Sequence, residues 1–202
     1  MCFDLDILKA NLRKRGFQAA ACENKQEAIR FILETFAVNP EMILGMGNSL
    51  TLDALGIKEV FAKKVSAIYQ HVPESSDEET RQALLADLYF TSANAVSYQG
   101  HIINIDGTGN RTAATCYGPK QVVYVIGKNK IAKTLEEAVA RARNIAAVEN
   151  AKRYNRKTPC SITGKCEDCL SPECICSVMT IHRRQPHGLK ITVVLVNEDL
   201  GF

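Results

Sequence analysis

Five cysteines lie within seventeen residues of the sequence, in a segment rich in turn-forming residues. Residues 158–176 contain Cys160, Cys166, Cys169, Cys174 and Cys176, in the spacing C-x5-C-x2-C-x4-C-x-C. The central C-x2-C pair can present two thiolates to one metal from a single tight turn, and Pro159, Gly164 and Pro172 supply turns that bring the outer thiols back. Because thiolates select zinc or iron–sulfur clusters over hard cations, the segment is predicted to be a metal module.

Two metal occupants are compatible with these cysteines. Structural zinc usually takes two short ligand pairs separated by a longer arm, whereas the ligands here are all local and include a single C-x2-C pair. Compact loops with four cysteines hold cubane clusters, so we favour a 4Fe–4S iron–sulfur cluster. Zinc is the alternative, and free thiols or a disulfide are the interpretation without a metal. Cys174, separated from Cys176 by one residue, is chosen as the spare, and the predicted ligands are Cys160, Cys166, Cys169 and Cys176.

The cellular compartment bears on how the eight cysteines behave. Asp4 and Asp6 stand where a signal peptide would carry positive charge, which predicts a cytoplasmic protein. In a reducing compartment, clustered cysteines favour metal binding over disulfides. Cys2, Cys22 and Cys116 stand alone and are predicted to be small buried apolar side chains, because no partner base accompanies any of them in the sequence.

A short glycine loop follows an apolar strand and precedes a helix. It reads Gly45-Met-Gly47-Asn48-Ser49, and glycines of this kind let the backbone approach an anionic ligand while Asn48 and Ser49 add donors. The loop lacks the third glycine of a dinucleotide fingerprint and the lysine of a P-loop. A ligand-binding loop is predicted, with a tight strand-to-helix turn capped by a serine as the structural alternative.

A second loop carries more functional groups. It contains Asn104, Asp106, Gly107, Thr108, Gly109, Asn110 and Arg111 within eight residues, between a strand and a helix. Arg111 can clamp a carboxylate or a phosphate with two hydrogen bonds, and Asp106 could orient Arg111, bind a hydroxyl or act as a base. These two residues are the predicted catalytic pair. Lys130, after another apolar strand, is a further predicted ligand contact, with a solvated loop charge as the alternative.

Loops at the carboxyl ends of parallel strands converge on one crevice. An α/β fold with parallel strands would therefore bring the two glycine loops together. The periodicity predicts strands and helices in alternation, and Asn24 with Glu27 and Thr134 with Glu137 have the spacing of helix caps. A three-layer α/β/α sandwich with a mostly parallel sheet follows, as a single domain over residues 1–202. Residues 177–198 are predicted to form a β-hairpin after the cysteine module.

Bulk composition narrows the function classes. The net charge of +3 is too small to argue for nucleic acid, and no basic stretch is interleaved with aromatic residues. No apolar run approaches the roughly 18 residues that a membrane span needs. The glycine loops and Arg111 make a small anionic organic or phosphorylated ligand the expected partner of the crevice, and a homo-oligomer is compatible with the sequence.

Several blocks of the chain resemble the lactate utilisation (LUD) domain family. They are MGNSLTLDALGI, LYFTSANAVSYQGHIINIDGTGNRTAATCYGPKQVVYVIGKNKI, NIAAVENAKRYNRKTPCSITGKCEDCLSP and VLVNEDLGF. The resemblance implies the α/β/α fold shared with ribose-5-phosphate isomerases, sugar-phosphate deaminases and CoA transferases. It also implies cysteines at the positions of Cys160, Cys166, Cys169 and Cys176, with another residue type usual at Cys174.

Three functions are compatible with these observations. The resemblance implies an accessory redox protein of lactate or related organic-acid oxidation, working beside iron–sulfur oxidoreductase subunits. The second hypothesis is an isomerase, deaminase or transferase with a structural metal module, in which Asp106 and Arg111 are catalytic. The third is a regulatory or docking subunit. A CoA transferase would need an acidic nucleophile, and Glu198 is the only candidate, predicted here to lie in a solvated tail.

Overall fold

The computed structural model describes residues 3–72 and 74–202. The strands in this part of the chain are β1 (Gln18–Cys22), β2 (Ile43–Met46), β3 (Ala67–Gln70), β4 (Leu88–Thr91), β5 (Ala95–Ser97), β6 (Ile102–Asp106), β7 (Gln121–Gly127), β8 (Ile131–Ala132), β9 (Val178–His182) and β10 (Lys190–Val196). The α-helices are α1 (Leu5–Lys14), α2 (Lys25–Thr35), α3 (Leu50–Leu55), α4 (Ile57–Phe61), α5 (Asp77–Gln82), α6 (Asn110–Cys116), α7 (Leu135–Arg141), α8 (Ala147–Arg153) and α9 (Pro159–Thr163).

The large sheet is entirely parallel, with strand order β1-β10-β7-β4-β2-β3. Its interior strands β7 and β10 are buried along almost their whole length, as expected for apolar strands covered on both faces. The predicted mostly parallel α/β fold is confirmed.

Helices and a second sheet cover the two faces of the large sheet. On one face, α2, α3 and α4 bury Ile32, Leu52 and Phe61 against strand residues such as Val123 and Val194. On the other face, the core is built by α1, α6, and strands β5 and β6, which contribute Leu8, Leu12, Ala114, Val96 and Ile102. Burial of this apolar surface is the main force that holds the layers together.

Local signals place the helices where the sequence predicts them. The Asp4 carboxylate accepts hydrogen bonds from the amides of Asp6 and Ile7 at the start of α1, and Asn24 accepts from Glu27 N at 2.9 Å at the start of α2. Thr134 likewise accepts from Glu137 N at 3.2 Å and opens α7. The helix that begins with α7 continues into α8, but a π-helical stretch at Ala142–Ala146 interrupts the α-helical pattern.

The predicted β-hairpin at residues 177–198 is wrong. β9 pairs antiparallel with β6 in a second sheet of order β8-β5-β6-β9, whereas β10 lies in the large sheet between β1 and β7. The two strands differ in burial: Val178, Met179 and Ile181 remain 38–41% exposed, while Ile191 to Val196 are buried. A strand that is apolar on both faces gains most burial in the middle of a covered sheet, and β9 suits an edge.

The end of the described chain packs against the sheet. Leu200 is only 5% exposed, and its carbonyl accepts a hydrogen bond from Thr51 Oγ1 at 3.0 Å. The tail predicted to be solvated around Glu198 is anchored at Leu200, whose apolar side chain joins the core beside α3, while Glu198 itself is half-buried between two exposed residues. None of the helices in residues 3–72 and 74–202 has the length and apolar content of a membrane span.

Candidate functional site

The crevice forms at the edge where three neighbouring strands of the large sheet end. β2 leads into Gly47, Asn48 and Ser49, β4 leads into Ser92, and β7 leads into the turn that carries Lys130. Parallel strands bring their carboxyl ends to one edge, which is why these loops meet. The second glycine loop follows β6, which belongs to the small sheet. It meets the first loop at Arg111, because a Cβ added to Gly47 would lie 3.1 Å from Arg111 Cδ.

The first loop divides between packing and ligand access. Gly45 lies inside β2, where a Cβ would lie 2.5 Å from the Tyr89 ring and 2.6 Å from the Ala83 carbonyl oxygen, so this glycine is required by packing. Gly47 and Asn48 line a chamber of about 340 Å³. Ser49 lines a smaller neighbouring cleft, and its side chain makes no capping hydrogen bond at the start of α3.

Arg111 holds the loops together from within. Its guanidinium donates to the Ser92 carbonyl (3.3 Å), Asn104 Oδ1 (2.5 Å), Asn94 Oδ1 (3.1 Å) and the Ile105 carbonyl (2.5 Å). Four acceptors occupy most of the five N–H donors of an arginine. The predicted clamp is therefore engaged with the protein itself, although Arg111 lines both the chamber and the cleft.

The second loop is only partly directed at the chamber. Asp106, Gly107, Thr108 and Asn110 line it, and Asp106 Oδ2 accepts from Thr112 N at 3.0 Å, which caps α6. Asp106 and Arg111 do not contact each other through a hydrogen bond or an ion pair in the described residues. Two members of this loop lie away from the chamber: Asn104 is fully buried and donates to Tyr124 Oη at 2.9 Å, and Gly109 precedes α6 with a φ of 89°.

Lys130 is buried at the floor of the smaller cleft. Its side chain is 4% exposed, and Nζ donates to Thr51 Oγ1 at 2.8 Å and to Ser92 Oγ at 3.0 Å. Burial, followed by the positive charges of Arg141 and Arg111, lowers the pKa of Lys130 from 10.5 to about 7. The alternative interpretation of Lys130 as a solvated loop charge is wrong.

Sequence reasoning missed several residues of the smaller cleft. They are Leu50, Thr51, Ser92, Ala93, Asn94, Asn150, Arg153, Gly201 and Phe202. They come from α3, the β4–β5 connection, α8 and the C-terminal segment, so no local motif joins them. Arg153 Nη2 donates to Asn48 Oδ1 at 2.9 Å, which links α8 to the first glycine loop.

All five clustered cysteines line one cavity of about 240 Å³. Asp168 adopts a φ of 52° between Cys166 and Cys169, and this left-handed conformation makes the tight turn expected of a C-x2-C pair. Burial, followed by the neighbouring thiols of Cys174, Cys166 and Cys160, raises the pKa of Cys176 to about 12. In the described residues no three His, Cys, Asp or Glu side chains converge on a position for one metal ion.

The π-helical stretch supplies polar contacts to the cysteine cavity. Arg143 Nη2 donates to Cys166 Sγ at 3.6 Å and pairs with Asp168 Oδ1 at 2.6 Å, and Asn144 Oδ1 accepts from Cys166 N at 3.3 Å. Single π-helical turns inside α-helices occur frequently at functional sites. Here two consecutive residues of the π-helical stretch, Arg143 and Asn144, both contact Cys166.

The cysteine cavity and the larger chamber share a wall. Ile105, in β6, and Ile175, in the cysteine module, line both of them. Gly107 lies against the Ile175 backbone, since a Cβ there would be 3.1 Å from Ile175 Cα. The two sites that the sequence places about fifty residues apart are therefore neighbours.

The isolated cysteines have different environments. Cys22 is 3% exposed, as predicted, and Cys2 lies outside the described residues. Cys116 is exposed, so its predicted burial is wrong. Its Sγ lies 3.9 Å from His182 Nε2, but that nitrogen is 2.8 Å from the Thr115 carbonyl and must donate to it. His182 Nε2 therefore cannot accept a proton from Cys116.

The chain is similar to solved structures and to a protein-family model. A crystal structure of a DUF162 family protein from Deinococcus radiodurans matches 95% of each chain with 14% sequence identity and a TM-score of 0.49. No curated protein matches the sequence. The LUD domain family model matches residues 5–196, which is nearly the whole chain. The protein therefore belongs to the LUD domain family, which is associated with lactate utilisation.

Proposed function

We propose that this protein is an accessory redox protein of lactate or related organic-acid oxidation. In this proposal the cysteine cavity holds an iron–sulfur cluster, and the adjoining crevice binds a small anionic organic ligand. The observation that carries the proposal is the arrangement of five thiols around one cavity that shares Ile105 and Ile175 with the larger chamber. In this proposal the cluster would lie next to the bound organic anion.

The spacing of the cysteines favours a cluster over a single zinc ion. Thiolates are the ligands of both zinc and iron–sulfur clusters, so ligand type alone does not separate the two. A zinc site has four ligands converging at about 2.3 Å from one point. The thiols here surround a cavity of about 240 Å³ without converging on a single-ion position in residues 3–72 and 74–202. The compact, local set of cysteines is of the kind that holds a cubane cluster through four thiolates, and all five thiols line the one cavity.

The residues around the cavity have separate parts in the proposed function. A bound cluster would supply one-electron transfer, with a potential set by its charge, hydrogen bonds and solvent exposure. Arg143 holds a guanidinium N–H on Cys166 Sγ and places a positive charge beside the thiols. Ile105, Ile175 and Met179 form an apolar part of the wall, which limits the access of water.

The outer surface of the module has two strongly exposed apolar side chains. Ile162 is 86% exposed and Leu170 is fully exposed, and both lie within the segment that carries the cysteines. Single exposed apolar residues are common, but two on a metal module support contact with another protein. Iron–sulfur oxidoreductase subunits are the partners that we propose for this surface.

Anaerobic purification followed by iron, sulfide and zinc analysis tests the proposal. We expect a brown protein with visible absorption and an electron paramagnetic resonance signal after reduction. Cys160→Ser, Cys166→Ser, Cys169→Ser and Cys176→Ser should each lose the iron. The matched controls Cys174→Ser, inside the module, and Cys116→Ser, outside it, should retain it. A colourless protein with one tightly bound zinc would contradict the proposal.

A further inference from the structure

Four positive side chains surround the smaller cleft without an acidic partner. They are Arg111, Lys130, Arg141 and Arg153, and none forms an ion pair with a carboxylate within residues 3–72 and 74–202. The side chains that line the cleft are amides, hydroxyls, apolar groups and three of these cations, and none of them is acidic. The cleft is therefore a concentrated, partly buried region of positive charge.

Two of the four cations are satisfied by neutral oxygens of the protein. Arg111 has the four acceptors described above, and Arg141 donates to the carbonyl oxygens of Asn129 (2.9 Å) and Asn94 (2.5 Å). Their hydrogen bonds are made, but their charges are not neutralised. They fix the positive potential of the region rather than compete for a ligand.

Lys130 keeps a donor for a ligand. A lysine ammonium has three N–H groups, and the hydroxyls of Thr51 and Ser92 accept two of them. The third has no acceptor among the described residues, and Lys130 lines the cleft. Arg153 uses one described donor, from Nη2 to Asn48, and its guanidinium has others.

A buried positive charge without a counter-charge is unfavourable unless something offsets it. An apolar residue would fill a purely structural site equally well, because it packs without desolvating a charge. A charge held at 4% exposure at the floor of an open cleft is instead what an anion-binding site requires. Buried charges in proteins are paired or are removed by loss of the proton, and a bound anion would supply the pair for Lys130 here.

We propose that the cleft binds the carboxylate of a small organic anion, with Lys130 and Arg153 as its charged donors. The inference rests on the proposed function for the ligand class and extends it by assigning the subsite. The cleft has about 60 Å³, roughly twice the share of one water in the liquid, which suits a carboxylate group rather than a whole molecule. It shares Asn48, Arg111 and Asn150 with the larger chamber, where the remainder of the anion would lie.

Isothermal titration calorimetry of the anaerobically purified full chain tests this site. The probes are L-lactate, its neutral analogue lactamide, and inorganic phosphate. We expect lactate to bind and lactamide not to bind. Lys130→Met should weaken lactate binding by roughly tenfold to a hundredfold, the usual loss for a hydrogen bond to a charged group. Arg153→Gln should weaken it in the same direction.

The matched control is Lys128→Met, which removes an exposed lysine from the same turn and should leave lactate affinity unchanged. Equal binding of lactate and lactamide, or unchanged affinity in Lys130→Met, would overturn the site. Tighter binding of phosphate than of lactate would overturn the carboxylate assignment. Metal analysis of the same samples separates the two proposals: Lys130-dependent binding without iron refutes the cluster alone, and iron without such binding refutes the subsite alone.

Discussion

Ile175 of the cysteine module lies against Gly107 of the crevice loop, so closely that a Cβ at Gly107 would be 3.1 Å from Ile175 Cα. The contact is between two backbones, and Ile175 lies between two of the clustered cysteines, Cys174 and Cys176. Backbone atoms cannot move aside by changing a rotamer. Any displacement of the cysteine loop must therefore move the loop that lines the larger chamber.

Replacing Gly107 by alanine tests this contact. We expect Gly107→Ala to lower the free energy of unfolding by about 1–3 kcal/mol, because the added methyl forces the two backbones apart. It should also speed the loss of cysteine-bound metal to a chelator. Chemical denaturation and chelator kinetics measure the two effects. Thr108→Ala, at the exposed neighbour in the same loop, should change neither, and equal behaviour of the two variants would contradict the coupling.

Arg143 is predicted to tune the group that the cysteines hold. Replacing it with methionine removes a positive charge and an N–H donor from Cys166 Sγ, which disfavours the more negative reduced form. The reduction potential should fall by roughly 30–60 mV, since 59 mV corresponds to a tenfold change for a one-electron couple. A redox titration followed by electron paramagnetic resonance measures this. Lys165→Met removes an exposed charge from the same module and should have a smaller effect.

Binding of a carboxylate in the smaller cleft should depend on pH through Lys130. The pKa of Lys130 is about 7, and the charged groups around it, Arg111, Arg141 and Arg153, are all cationic. As the pH rises through 7, Lys130 loses its proton and its attraction for an anion, so lactate affinity should fall between pH 6 and 8.5. Calorimetric titrations across this range measure the slope. A Lys130→Met variant should show a much flatter profile.

The same pKa makes a prediction about stability. The folded-state pKa of Lys130 lies below its ordinary value of 10.5, so the unfolded chain binds more protons between pH 7 and 10.5. Stability relative to Lys130→Met should therefore rise as the pH increases through this window, and the destabilising effect of the buried charge should be largest below pH 7. Urea denaturation of both proteins without added carboxylates, at several pH values, measures the difference. A constant difference would show that Lys130 does not titrate there.

Asp106 and Arg111 should respond differently to substitution. Asp106→Asn keeps an oxygen that can accept from Thr112 N, so its unfolding free energy should change by less than about 1 kcal/mol. Arg111→Met removes one donor from each of four buried or half-buried acceptors, namely Asn104 Oδ1, Asn94 Oδ1 and the carbonyls of Ser92 and Ile105, and should cost about 3 kcal/mol or more. Denaturation curves distinguish them. If Asp106 is catalytic, its variant also loses turnover while remaining folded.

The local part of this protein could be predicted from the sequence. Helix caps such as Asn24 and Thr134 act on backbone amides three residues away, so their effect is contained in a few neighbouring letters. The buried β7 could be predicted for the same reason, because its apolar run has the length of a covered strand. The alternation of strands and helices predicts the parallel sheet. A parallel sheet in turn brings the loops after β2 and β7 to the same edge.

The tertiary structure decided which distant segments became neighbours. Residues 178–182 and 190–196 separated into different sheets, because a strand that is apolar on both faces gains more by burial in the centre of the large sheet than by pairing with its sequence neighbour. The positive cleft has the same origin. Lys130 donates its hydrogen bonds to Thr51 and Ser92, which are 79 and 38 residues away in the sequence. Its lowered pKa results from burial and from Arg141 and Arg111 rather than from any adjacent residue.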